Sequence, residues 1–126
     1  MLGLLTDEHI SHVVADQIRH KRPDIRIESV LRWRGGVLRQ NADDLVLAAA
    51  HEERLTLVTY DQKTIPPILV EVAMNGGHHS GVIFVDRNAI NTSNIGGLVQ
   101  ALIAFHDLYH GQEWTDTVMF LTPAKP

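Results

Sequence analysis

Residues 43–61, DDLVLAAAHEERLTLVTYD, decide how this chain folds. Their first part carries alanine and aliphatic residues at helical spacing, which predicts a helix over 43–53 that packs closely on a neighbouring layer. Residues 55–59 then form a short apolar run with β-branched side chains, which predicts a buried strand. Asp43 opens the helix and Asp61 follows the strand, so an acidic residue lies at an end of each element.

The rest of the chain continues this alternation of apolar runs and amphipathic segments. The patterns predict further strands at 2–5, 25–28, 81–85 and 117–121, and further helices at 9–21, at 68–74 and after a cap at Ser93 or Asn94. Strands that alternate with helices build βαβ units. We therefore predict a single domain over 1–126 with an α/β fold, a three-layer α/β/α sandwich around a mainly parallel central sheet.

Composition places the chain among ordinary globular proteins. It has 126 residues, of which 44% are hydrophobic and 21% are charged, and this length is enough for one core. There are no cysteines, which excludes disulfides and thiolate zinc sites. No apolar run approaches the ~18 residues of a membrane span, so we expect a cytoplasmic protein without a signal peptide.

The charge is unevenly distributed along the chain. The net charge is −4, yet seven of the eleven Lys and Arg residues lie between positions 19 and 39. Such a basic segment can follow a phosphate backbone, and the alternative is a solvated helix end and loop. Within it, Trp33 could stack on an unpaired base while arginines hold phosphates, or it could close the sheet edge beneath a loop. The candidate RNA contacts are Arg32, Trp33, Arg34 and Arg39.

Acidic residues follow two of the predicted strands. Asp7 and Glu8 come after the strand at 2–5, and Asp61 comes after the strand at 55–59. The carboxyl ends of parallel strands share one edge of the sheet. Carboxylates that lie close together repel one another unless a cation neutralises them, and Mg²⁺ and Mn²⁺ prefer such oxygen ligands. The sequence therefore predicts an acidic, metal-binding edge.

Of the two acids that open the helix at 43–53, Asp43 is the better candidate for this edge. It shares a helical face with the apolar residues three, four and seven positions later, whereas Asp44 lies nearer the rim. The alternatives are structural roles. Asp43 could be a helix N-cap, and Asp7 and Glu8 could be first-turn acids that favour the helix dipole.

The order and spacing of these motifs resemble a known family. Residues 4–8 (LLTDE), Asp43-Asp44 at a helix start and residues 57–61 (LVTYD) are similar to the PIN-like domains of the small, toxin-associated kind, over roughly residues 2–86. The resemblance implies a PIN-like fold and a metal-dependent ribonuclease, the toxin of a toxin–antitoxin pair. The implied partners are RNA and an antitoxin protein, and we also expect a homodimer. Carried over, the catalytic residues are Asp7, Asp43 and Asp61, which hold Mg²⁺ or Mn²⁺. We add Glu8 and Asp44, near the rim of the site, as further candidate metal-binding residues.

One residue departs from the family pattern. Lys63 occupies the position two residues after Asp61 where the family often has a second acid. A cation there favours one metal ion over two. It also supports an alternative, a PIN-like module that binds RNA or a partner protein without cleaving, in which Lys63 pairs with Asp61.

Histidines provide two weaker signals. His9 and His12 lie one turn apart just after the first acid pair, so either could face the site. His106 and His110 are four residues apart, a spacing that can hold a metal on one helix face, although core or surface roles are commoner.

Overall fold

The computed structural model describes residues 2–124, in which five strands alternate with four α-helices. The elements are β1 (Gly3–Thr6), α1 (His12–Lys21), β2 (Arg26–Ser29), α2 (Asp43–Glu52), β3 (Leu55–Thr59), α3 (Ile65–Met74), β4 (Val82–Phe84), α4 (Ile95–Tyr109) and β5 (Val118–Phe120). A short 3₁₀ segment, Trp33–Gly36, lies between β2 and α2. Within the described residues, no helix combines the length and apolar character needed to cross a membrane.

The five strands form one sheet in which every neighbouring pair is parallel. Their order across the sheet is β2-β1-β3-β4-β5. Helices α1 and α4 pack together, and helices α2 and α3 contact each other. The predicted α/β class and three-layer architecture are confirmed, and the described sheet is wholly parallel rather than mainly so.

The alternation of side chains along the strands divides the core into two clusters. Leu4 and Val58 belong to the cluster shared with α1 and α4. Leu5, Leu57 and Phe84 belong to the cluster shared with α2. Because helices cover both faces of a parallel sheet, its central strands are buried on both sides, and every residue of β1 and β3 is buried.

Three helix boundaries differ from, or sharpen, the sequence prediction. Helix α1 begins at His12 rather than at residue 9, because the Ser11 side chain caps it by accepting a 3.2 Å hydrogen bond from the Val13 N–H. Helix α3 begins at Ile65, three residues early, because its two prolines lie in the first turn, where no N–H is needed. The Asn94 side chain caps α4 by accepting from the Gly97 N–H at 3.0 Å.

Gly81 sets the entry of the chain into β4. Its φ of +98° lies in the region that side chains disfavour. A Cβ at this position would lie 2.9 Å from the Trp114 carbonyl oxygen and 3.2 Å from the Thr56 methyl group. The glycine therefore allows both the backbone angle and the close approach of the segment before β5.

We expect Gly81→Ala to lower the free energy of unfolding by roughly 2–4 kcal/mol, because backbone strain and steric overlap add. Urea denaturation of the purified variant measures this loss. Gly76→Ala is the matched control, because Gly76 has φ +71° and nothing within 4 Å of the added carbon, so only the conformational cost of about 1 kcal/mol remains. Equal losses in the two variants would contradict the role of the contact with Trp114.

Candidate acidic site at the carboxyl edge of the sheet

The structure brings the predicted acids to one edge of the sheet. Strands β1 and β3 are parallel neighbours, so Asp7 and Asp61 follow adjacent strand ends. The Asp7 N–H continues the ladder by donating to the Val58 carbonyl oxygen at 3.0 Å. Asp43 starts α2, which begins at this edge and runs back to the start of β3. Proximity is also visible electrostatically, because the charges of Asp7, Asp61 and Glu8 raise the pKa of Asp43.

Asp7 is a buried carboxylate with a partner for each oxygen. Its side chain is part of a residue only 5% exposed. One oxygen accepts from the Thr59 hydroxyl at 2.7 Å and the other from the Glu8 N–H at 2.7 Å. The Thr59 hydroxyl oxygen in turn accepts from the Asp61 N–H at 3.0 Å. Thr59 therefore joins the two strand ends and fixes the Asp7 carboxylate.

Asp61 is held in a tight turn at the end of β3. Its Oδ1 accepts from the backbone N–H groups of Lys63 at 3.0 Å and Thr64 at 2.8 Å. Partial burial acts to raise the pKa of Asp61, but the hydrogen bonds outweigh it and the pKa lies below its usual value. The side chain thus stays ionised at neutral pH.

The Lys63 side chain does not form the ion pair with Asp61 that the non-cleaving module would contain. The contact between the two residues comes from the Lys63 backbone N–H. Among the described residues, the Lys63 ammonium group forms no ion pair. The negative charge of the site is therefore not cancelled by this lysine.

Asp43 is the acid that the site destabilises most. It is half-buried, and its pKa is raised because burial disfavours the charged form and because Asp7, Asp61 and Glu8 repel it, against a smaller effect of His9. Asp44 is exposed. Ala42, not Asp43, occupies the N-cap position of α2, so Asp43 does not have the capping role considered as an alternative.

The residues around the acids differ in how they face the site. Glu8 accepts from the Gln40 N–H at 3.1 Å and so ties the loop before α2 to the site. His9 lines a cleft of about 540 Å³ beside Asp61. His12 points elsewhere, because its ring nitrogens lie 3.1 Å from an Asp16 oxygen and 3.2 Å from the Arg32 guanidinium.

The acids supply the type of ligand that a hard divalent cation prefers, but their side chains are not arranged around one position. Carboxylate oxygens are the ligands that Mg²⁺ and Mn²⁺ prefer. Within residues 2–124, however, no three His, Asp or Glu side chains are arranged as a ready metal-binding group. A shared ion at Asp7 therefore requires the Asp43 and Asp61 side chains to turn toward it.

Most of the candidate RNA contacts are engaged with the protein itself. Arg34 forms a 3.1 Å ion pair with Glu53 and stacks over the Trp33 ring at 4.4 Å. Arg32 forms a 3.6 Å ion pair with Asp16. Trp33 is half-buried against the core cluster on the α2 side, as in the edge-closing alternative. Arg39 is exposed, and no ion pair is recorded for it in the described part of the chain.

The histidine pair on α4 does not form a metal centre in this arrangement. The rings of His106 and His110 stack with centroids 5.2 Å apart. His106 is buried, neither of its ring nitrogens has a hydrogen-bond partner in the described structure, and burial followed by repulsion from His110 lowers its pKa. We interpret His106 as a core residue that remains neutral at physiological pH.

Comparison of the chain with protein-family models, curated proteins and solved structures finds no match. The resemblance to PIN-like domains therefore depends on the acidic motifs and their order. Thr59, which sequence reasoning did not assign to the site, belongs to the same motif. The signal that could have revealed it is a hydroxyl residue at the last position of a buried strand, two residues before Asp61.

We expect Thr59→Val to destabilise the fold by about 1–3 kcal/mol, because it leaves one oxygen of the buried Asp7 carboxylate, Oδ2, without its donor. Thr59→Ser is the control, because it keeps the hydroxyl. Chemical denaturation of the two variants compares them directly. Because valine keeps the methyl group and lacks only the hydroxyl, wild-type stability of Thr59→Val would contradict a stabilising role for this hydrogen bond.

The raised pKa of Asp43 predicts a characteristic pH dependence of stability. In the unfolded chain the group has the usual pKa of an aspartate, about 3.9, so the folded state keeps this proton to higher pH than the unfolded chain does. The contribution of Asp43 is therefore most favourable below that value and is lost as pH rises through the folded pKa. Asp43→Asn should become progressively more stable relative to wild type across this window.

Asp44→Asn is the matched control for this measurement. It removes the same charge from the first turn of α2 and loses about 0.3–1 kcal/mol of dipole interaction, but it leaves the acidic cluster intact. Thermal unfolding at a series of pH values should show the rising difference for Asp43→Asn alone. Parallel curves for wild type and Asp43→Asn would show that folding does not raise the pKa of Asp43.

Proposed function

We propose that this chain is a PIN-like, metal-dependent ribonuclease, the toxin component of a toxin–antitoxin pair, that hydrolyses RNA phosphodiesters with Mg²⁺ or Mn²⁺. The observation that carries the proposal is the position of two acids at adjacent strand ends: β1 and β3 are parallel neighbours, and the Thr59 hydroxyl links the Asp7 carboxylate to the Asp61 N–H. Asp43 lies near them, and its pKa is raised first by burial and then by the charges of Asp7, Asp61 and Glu8.

An uncompensated acidic cluster is costly for a fold. Carboxylates at close range repel one another, and each raises the pKa of the others. In this protein the neighbouring lysine does not relieve the repulsion, since its ammonium group forms no ion pair in residues 2–124. A bound divalent cation would relieve it, and this supports a metal-dependent role for the edge.

The residues would have distinct roles. Asp7, Asp43 and Asp61 would hold the ion, and Glu8 would lie at the rim. When bound, Mg²⁺ or Mn²⁺ supplies an activated water and stabilises charge on the phosphodiester. Asp7 is pre-oriented by the Thr59 hydroxyl, and Asp61 stays ionised because backbone N–H groups bind its Oδ1.

We expect cleavage of single-stranded RNA by the purified chain in Mg²⁺ or Mn²⁺, and no cleavage in excess chelator. Asp7→Asn should lower the rate about a hundredfold or more, because metal catalysis contributes several kcal/mol. Asp44→Asn is the control and should retain activity, because Asp44 is exposed and is not among the charges that shift Asp43. Undiminished cleavage in chelator would contradict a metal-dependent mechanism.

The second candidate is a PIN-like module that binds RNA or a partner protein without cleaving. The observation that favours it is that no three acidic or histidine side chains in the described residues form a ready metal-binding group. Calorimetric titration of Mn²⁺ into wild type and Lys63→Asp distinguishes the two. Binding to wild type with no gain in the variant supports the nuclease, and binding that appears only in Lys63→Asp supports the module.

The proposed partners have a candidate contact surface in the exposed apolar side chains. Val70 and Met74 on α3 are 58% and 81% exposed, and Val118 and Phe120 on the edge strand β5 are 45% and 54% exposed. The opposite edge strand, β2, instead carries charged side chains, as solvent-facing edges usually do. An antitoxin or a second copy of the chain would cover one of these two sets of apolar side chains. Light scattering tests the homodimer, because a dimer has twice the chain mass of 14.1 kDa.

A further inference from the structure

The cationic side chains divide into two groups by their partners. Of the ten Lys and Arg residues between positions 2 and 124, five form ion pairs with carboxylates: Arg19, Arg22, Arg26, Arg32 and Arg34. All five belong to the basic segment at 19–39. That segment is therefore largely neutralised within the protein, and its charges are less available to a phosphate backbone than the sequence indicated.

The other five described cations make no ion pair, and three of them lie at the acidic edge. Lys63 follows the end of β3, and Arg87 follows the end of β4. Arg39 lies in the loop that enters α2, which the hydrogen bond from the Gln40 N–H to Glu8 holds against the site. The remaining two, Lys21 at the end of α1 and Arg54 before β3, lie toward the opposite edge.

The strand order places these three cations on both sides of the acids. Across the sheet the sequence is β2, β1, β3, β4, so Arg39 lies toward the β2 side, the acids follow β1 and β3, and Arg87 lies beyond them. Unpaired positive charge therefore lies on two sides of the acids, with Arg39 in the loop held at Glu8 and with Lys63 and Arg87 at the cleft beside Asp61.

We propose that Arg39, Lys63 and Arg87 bind the phosphates of a single-stranded RNA that crosses the carboxyl edge of the sheet, over the acidic cluster. The proposal rests on the function proposed above and specifies how this site takes its substrate. It also gives Lys63 a role of its own, as a phosphate ligand on the Asp61 side of the site and not as a substitute for a second metal ion.

The cleft beside Asp61 provides the room and the chemistry for this path. It has a volume of about 540 Å³, and its lining includes both Lys63 and Arg87. The Arg87 guanidinium lies 5.9 Å from the Tyr60 ring centroid, a cation–π distance that keeps it over the cleft. Gln62 and Asn88 also line it, and their amides can hydrogen-bond to bases, which single strands leave accessible.

Electrostatics explain why cations are needed on both sides. A polyanion that approaches four carboxylates is repelled unless positive charge meets its phosphates before and after the acidic centre. The paired arginines of the basic segment cannot provide this charge without breaking their ion pairs. Lys63, Arg87 and Arg39 can, because they have no competing carboxylate partner recorded in the described residues.

The test measures binding of a fluorescein-labelled oligouridylate by anisotropy, in excess EDTA so that no cleavage occurs. We expect Lys63→Gln, Arg87→Gln and Arg39→Gln each to weaken binding several-fold at low salt. Each should also reduce the slope of log affinity against log salt by about 0.7, the contribution of one phosphate contact on a single strand. All three side chains are exposed, so the variants should fold.

Arg22→Gln and Arg26→Gln are the matched controls. They remove the same charge from residues that are engaged in ion pairs, and we expect wild-type affinity and salt slope from both. The proposal is overturned if the controls weaken binding as much as Lys63→Gln does, if the triple variant binds like wild type, or if wild type does not bind this RNA at low salt.

These outcomes separate the binding proposal from the proposed catalysis. If RNA binding in EDTA depends on the three cations but the protein cleaves no RNA with metal, the phosphate-binding proposal stands and the nuclease proposal is wrong. If metal-dependent cleavage needs Asp7 but neither its rate nor the RNA affinity depends on the three cations, the nuclease proposal stands and the phosphate-binding proposal is wrong.

Discussion

The hydrogen bond from the Thr59 hydroxyl to the buried Asp7 carboxylate, 2.7 Å long, is the interaction on which this edge of the molecule depends. A carboxylate that is 5% exposed must have donors, because an ionised group without them is strongly disfavoured away from water. Thr59 meets this need from the adjacent strand and also accepts from the Asp61 N–H. The requirement of one buried acid therefore fixes how two strand ends and two acidic residues are placed.

Charge is arranged around that point in a consistent way. The acids at this edge have no cationic side-chain partner among the described ion pairs, and the pKa of Asp43 is raised by burial and then by the charges of Asp7, Asp61 and Glu8. Five arginines of the basic segment bind acids across the surface. The acids at the ends of the central strands, where ligands of parallel sheets bind, have no such partner among the described ion pairs.

Local sequence patterns were a good guide wherever burial alone controls structure. The strand predicted at 55–59 has the same bounds in the structure, and the helix predicted at 43–53 ends one residue earlier. The helical-face argument also correctly separated half-buried Asp43 from exposed Asp44. Prediction failed at boundaries that side-chain chemistry decides, such as the Ser11 cap that delays α1. It also missed the prolines that open α3, because a proline pair reads equally well as a break and as a first turn.

The sequence by itself determined the alternation of strands and helices, the α/β class, and the fact that acids follow strand ends, because periodicity and burial are local properties. Only the tertiary structure decided which charges meet. Arg22 pairs with Asp107, 85 residues away, and Arg34 stacks on Trp33 and binds Glu53, so that much of the charge of the basic segment is paired within the protein. Lys63 contacts Asp61 through its backbone. Ion pairs depend on the spatial distance between side chains that lie far apart in the sequence. The spacing of residues along the chain does not give that distance.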